Sequence, residues 1–121
     1  MKNIRTVIAF KRYFLGFYQD QTEVVQRKIE WTLNLLQTID RVPKKYFDYV
    51  TGTEGLFEVR VEYGGNIFRI FAFFDKGNLI VLGNGFQKKT QKTPKNEISK
   101  ALKIKAEYEL QSNLEYNKNK K

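Results

Sequence analysis

The chain has 121 residues, 41% of them hydrophobic and 15% aromatic, with no cysteine, no histidine and a formal charge of +9. This length suits one domain with a single core, and the apolar fraction excludes a disordered chain. Without cysteine or histidine there are no disulfides and no metal site or nucleophile built from those side chains, so neither metal nor cofactor is expected. Acid–base work then falls to Glu, Asp, Lys, Tyr or Arg. The positive charge directs attention to polyanionic partners such as nucleic acid, the ribosome or an acidic protein.

The first residues, MKNIRTVIAFKRYF, carry dispersed charges and no apolar signal-peptide core. No run reaches transmembrane length, so the expectation is a cytoplasmic protein with no membrane partner. Arg5–Lys11 reads as a first strand around Val7-Ile8-Ala9-Phe10. Arg12–Gln19 could prolong that strand. The helical spacing of Phe14, Phe17 and Tyr18 favours a short helix whose aromatics are core. A longer amphipathic helix is expected over Gln21–Ile39, with Asp20 as N-cap, Glu23 completing a capping box and Trp31 as a packing anchor. Arg41-Val42-Pro43 ends it. Lys44–Glu54 reads as a connecting loop holding at most one helical turn, and Lys44, Lys45 and Tyr46 bring charge and an aromatic ring beside the sheet.

Three strands follow, over Leu56–Glu62, Asn66–Phe74 and Leu79–Phe86. Gly64-Gly65 is a two-residue hairpin signal, because primed turns need positive φ and glycine supplies it at little steric cost. That turn sets Tyr63 opposite Asn66, Glu62 opposite Ile67 and Arg60 opposite Arg69. A second two-residue turn at Lys76-Gly77 would set Phe73 opposite Ile80, Phe71 opposite Leu82 and Arg69 opposite Asn84. Arg60, Arg69 and Asn84 would then form a row on one face. The other face would carry Phe57, Val59, Val61, Phe68, Ile70, Ala72, Phe74, Leu79 and Val81, and must pack against helices. Like charges directly across a strand pair cost roughly 0.2–1 kcal/mol. Either an anion or the neighbouring carboxylates Glu58 and Glu62 must offset that cost.

Lys88, Lys89, Lys92 and Lys95 follow the last strand. Thr93-Pro94 reads as N-cap and first position of a final helix, with Glu97 in its first turn and Ile98, Ala101, Leu102 and Tyr108 as its apolar stripe. The expected domain is 1–111, and residues 112–121 read as a frayed, polar, basic tail.

The strings Leu-x-Glu-x-Arg from Leu56, Gly-Asn-Ile-Phe-Arg-Ile-Phe from Gly65, and Gly-Phe-x-Lys-Lys-Thr-x-Lys-Thr-Pro from Gly85 lie within Gly55–Ala101. This stretch resembles the RelE/HigB superfamily of bacterial toxins, in its phage-derived HigB-like branch. The resemblance implies an α+β fold of order β-α-α-β-β-β-α. Its four-stranded, antiparallel-rich, RelE-like sheet has two N-terminal helices on one face and a C-terminal helix. It implies a ribosome-dependent mRNA endoribonuclease inhibited by a cognate antitoxin with a helix-turn-helix domain. Carried over by position, the catalytic face falls on Arg60, Arg69 and Lys88 or Lys89, with Lys92 as a further candidate. Lys44, Lys45, Asn84, Phe86, Lys92 and Lys95 would contact RNA. Better-studied members add a late His or Tyr as acid–base group. This chain has neither after Lys89 at the matching place, which leaves that role unassigned. Two other readings stay open: a ParE-type toxin acting on DNA gyrase without catalysis, and an inactive phage-derived nucleic-acid-binding protein. Oligomeric state is not legible.

Overall fold

The computed structural model describes residues 3–90 and 92–119. In chain order these form β1 (Thr6–Ala9), α1 (Tyr13–Gln19), α2 (Glu23–Thr38), β2 (Phe47–Tyr49), β3 (Phe57–Tyr63), β4 (Asn66–Asp75), β5 (Leu79–Lys88) and α3 (Lys95–Asn119). The fold is α+β, with one mixed sheet of five strands in the order β1-β5-β4-β3-β2. β1 runs parallel to β5, and every other pairing is antiparallel.

The fifth strand corrects the expected count of four. Phe47–Tyr49, read from sequence as loop, pairs with Phe57–Val59 at the sheet edge. Three residues are too few to show a period, so no alternation announces this strand. What holds it is ring packing: Phe47 stacks on Phe57 with centroids 4.9 Å apart.

Both faces of the sheet are covered. On one, Phe14 of α1 and Val25, Ile29 and Leu36 of α2 pack on Val59, Val61, Phe68, Ile70, Ala72, Ile80 and Leu82. This is the layer of two N-terminal helices that the sequence led one to expect. On the other, α3 lays Ala101, Ile104, Ile98 and Tyr108 over Phe71, Phe73, Val81 and Phe86. Leu102, expected in the stripe of α3, is instead exposed.

The β3–β4 hairpin has the expected register, with Gly64 at φ 57° and Gly65 at φ 81°. The β4–β5 connection does not. Lys76, Gly77 and Asn78 all intervene between the paired residues Asp75 and Leu79, one more than expected. Leu79 and Val81 therefore turn toward α3, and Ile80 and Leu82 take the places expected of them beside α1 and α2. A bulge follows: Ile70 pairs with Gly85 but Ala72 with Leu82, so Gly83 and Asn84 share the space opposite Phe71. Arg69 consequently stands opposite Phe86, not Asn84. Gly85 is required where it is. A Cβ there would come within 2.5 Å of the Phe17 ring of α1.

Three helix details also differ from expectation. Thr22, not Asp20, caps α2, its hydroxyl accepting from the Val25 amide at 3.3 Å. Asp20 closes α1 instead. Trp31 is no anchor: the buried stripe of α2 is Val25, Ile29, Thr32 and Leu36, and Trp31 lies off it, 45% exposed. Finally, the Thr93 hydroxyl turns away from α3, donating to Glu58 Oε1 at 2.9 Å, and the Pro94 carbonyl takes the first amides of the helix. α3 itself continues through the segment read as a frayed tail as far as Asn119, and 120–121 lie outside the described residues. No helix among the described residues is long and apolar enough to cross a membrane.

Candidate nucleic-acid interface

α3 covers only part of its sheet face. Beyond the helix N-terminus, the last rungs of β3, β4 and β5 carry a small grid of side chains. One rung reads Arg60, Arg69, Phe86 and the next Glu62, Ile67, Lys88. Neighbouring strands lie about 4.8 Å apart and residues two apart on a strand about 6.7 Å, so the backbones of Arg60, Glu62, Arg69 and Lys88 lie within about 12 Å of one another.

Arg69 is the unusual member. It is 7% exposed, and its Nη1 donates only to the carbonyl of Phe68, at 3.2 Å. Its Nε has no hydrogen-bond partner, and it forms no ion pair among the described residues. Burial lowers its pKa; the charges of Glu58 and Glu62 work against that shift, and Arg60 adds to it. An arginine so placed is still a cation at neutral pH. Its desolvation is therefore only partly offset within the chain.

Arg60 is better supplied. Its Nη2 lies 3.4 Å from both Asp48 and Glu58 carboxylates, and its Nη1 donates to the Lys44 carbonyl at 3.3 Å. Glu58 thus forms its ion pair with Arg60, and its charge reaches Arg69 only from a distance. Glu58 also ties the segment after β5 to the sheet through Thr93.

Two open clefts flank the arginine pair. One, of ≈ 460 Å³, is lined by Gly65, Asn66, Ile67, Arg69, Lys88, Lys89 and Thr90. The other, of ≈ 270 Å³, is lined by Lys28, Lys45, Tyr46, Arg60 and Glu62. A cleft of ≈ 320 Å³ near Asp75 and Tyr108 mixes aromatic and acidic groups and does not suit a polyanion.

A model of the family "Phage derived protein Gp49-like (DUF891)" matches residues 17–106. The chain belongs to that family. The family is associated with RelE/HigB-like toxins. No curated protein matches the chain. The matched span of this Gp49-like chain contains Arg60, Arg69, Lys88 and Lys89.

The structure gathers Arg69, Lys88 and Lys89 in one cleft and puts Arg60 in the next, beside Lys45. Lys44, Lys92 and Lys95 are exposed around them, Lys95 as the first residue of α3. Asn84 and Phe86 are removed from the surface. Asn84 is 2% exposed and donates to the Glu97 carbonyl at 3.2 Å and its carboxylate at 3.0 Å, beneath the start of α3. Phe86 is 9% exposed and stacks on Phe71 with centroids 5.6 Å apart. Both are parts of the α3 layer, and neither of these two expected RNA contacts is open to solvent.

Sequence reading missed two things. Glu62 is an exposed carboxylate in the same grid as Arg60, Arg69 and Lys88. The glycine turn sets it opposite Ile67, but the sequence marks it only as a counter-charge to the arginines and does not show that it is exposed. Trp31, Tyr46 and Lys28 meet at the edge of β3, and nothing in the sequence brings α2 to that edge.

Proposed function

We propose that this Gp49-like chain is the toxin of a toxin–antitoxin pair and acts as a metal-independent endoribonuclease on mRNA at the ribosome. The observation that carries the reading is Arg69: a buried guanidinium without an ion pair among the described residues, bordering an open cleft beside Lys88 and Lys89 and across one rung from Arg60. A phosphodiester is an anion that suits such a pair, because guanidinium forks grip phosphate oxygens bidentately.

RNA brings its own nucleophile. The 2′-oxygen attacks the adjacent phosphorus, the bond from phosphorus to the 5′-oxygen breaks, and a 2′,3′-cyclic phosphate and a 5′-hydroxyl result. Arg69 and Arg60 stabilise the charge that grows on the equatorial oxygens. Glu62 takes the proton from the 2′-hydroxyl. Lys88 or Lys89 gives a proton to the leaving 5′-oxygen. Glu62 and Lys88 stand two strands apart, about 10 Å between backbones, on either side of Ile67, so the reacting phosphate would bridge the two clefts. A cognate antitoxin with a helix-turn-helix domain would silence the protein by covering this face.

The test is to map mRNA 5′ ends after induction. New 5′-hydroxyl ends are expected with the native chain and none with Arg69→Ala. Growth arrest with intact mRNA and new DNA breaks would reject the nuclease and leave the gyrase-directed alternative.

A further inference from the structure

Trp31 is the only tryptophan in the chain, and it is 45% exposed. Its surroundings are those of a binding surface. Tyr46 meets it edge-on with centroids 5.5 Å apart. The Lys28 ammonium sits 4.1 Å from the centre of its ring, and the Lys45 ammonium 4.9 Å from that of Tyr46. Lys28, Lys45 and Tyr46 line the same ≈ 270 Å³ cleft as Arg60. The Arg60 amide is bonded to the Tyr46 carbonyl at 2.7 Å, so this cluster is fixed directly to the arginine rung.

We propose that Trp31 and Tyr46, with Lys28 and Lys45, form a base-stacking subsite for single-stranded RNA next to the phosphate-binding arginine pair. The proposal rests on the reading of RNA as substrate. Aromatic rings interleaved with cations are how single strands are held without sequence readout: bases stack on the rings and the backbone follows the positive charge. The Lys28 ammonium now occupies the position over the Trp31 ring that a base would take. On a flexible stem, it can swing aside to a phosphate as the base arrives. A strand entering here passes Arg60 and reaches Arg69 in the adjoining cleft, so the subsite would hold the nucleotides flanking the cleaved bond.

Because no other tryptophan is present, tryptophan emission, excited selectively over the seven tyrosines, reports on this site alone. The full chain is titrated with a single-stranded RNA of about 12 nucleotides. Saturable quenching is expected, and single-stranded DNA of the same sequence should quench as well, since stacking uses the base faces. Affinity of labelled oligomer is expected to fall roughly 5- to 150-fold in Trp31→Ala and to survive in Trp31→Phe. Thermal melts of both variants separate misfolding from lost binding, and Tyr46→Ala provides a second, independent weakening. Equal quenching by heparin, which has no bases, would overturn the proposal, as would quenching confined to RNA or unchanged affinity in Trp31→Ala. Cleavage is scored in parallel on mRNA with ribosomes present, where the proposed nuclease acts. Quenching without cleavage would reject the nuclease and keep the subsite, whereas cleavage without quenching would do the reverse.

Discussion

A buried cation is a cost that the rest of the protein must carry, and Arg69 makes that cost visible. Arg60 has Asp48 and Glu58 at 3.4 Å, whereas Arg69 has no ion pair among the described residues. A buried charge without an ion pair carries a desolvation cost that its surroundings only partly repay, so an apolar chain of similar length in its place relieves that cost. Arg69→Met is therefore expected to hold or raise the melting temperature while lowering RNA cleavage about 10²–10³-fold, the usual effect of removing one donor to a developing oxyanion. Arg60→Met should behave oppositely in stability, because it strands the buried Glu58 carboxylate and Asp48. Paired thermal melts would check this, and equal destabilisation by the two changes would contradict it.

Tyr108 gives a second prediction at this scale. Its pKa is pushed from 10.0 up to about 12 by burial and by the Asp75 carboxylate, which accepts its proton at 2.6 Å. Between those pH values an unfolded chain has released the proton and the native chain still holds it. The unfolded state then binds fewer protons, so stability falls as pH rises from 10 to 12. Below pH 10 the contribution is fully present. Denaturant melts across this range should show a steeper decline for the native chain than for Tyr108→Phe.

Among the elements, the β3–β4 hairpin was legible because a double glycine leaves little freedom in loop length, and its register fixed the Arg60–Arg69 pair. β5 was legible only in part. Its turn is one residue longer than expected and its bulge adds another. Each irregularity alone inverts which side chains face α3. Between them, Leu79–Leu82 point opposite to expectation. After the second, parity is restored, and Phe86 and Lys88 arrive on the arginine face although the partner of Arg69 had been misassigned. The bulge at Gly83 and Asn84 was not readable as such, and the nearby Gly85 has a separate reason. The Phe17 ring fills the place of its missing side chain. Gly85→Ala should therefore destabilise the fold by about 1–3 kcal/mol, the cost of overpacking, since both the ring and the strand are fixed. Gly77→Ala meets no neighbour within 4 Å and suffers only from its φ of 75°. Chemical denaturation of the two variants tests this, and a smaller loss at Gly85 than at Gly77 would contradict the packing argument.

For the molecule as a whole, the question is how a charge of +9 becomes a site. Most of the cations are exposed, and exposed charges give attraction without position. Position comes from the two covered sheet faces. α1 and α2 close one, α3 closes most of the other, and the corner left open is where Arg60, Arg69, Lys88 and Lys89 converge. If these four neutralise phosphates of a bound single strand, binding releases the counterions of about four charges, and log K should fall against log salt with a slope near −3. Removing one contributor, as in Lys89→Ala, should flatten that slope by about 0.7. Lys118→Ala, at the far end of α3, should leave it unchanged. Oligonucleotide titrations at several salt concentrations measure both. An equal change from Lys118 and Lys89 would mean that net charge, and not the open corner of the sheet, governs binding.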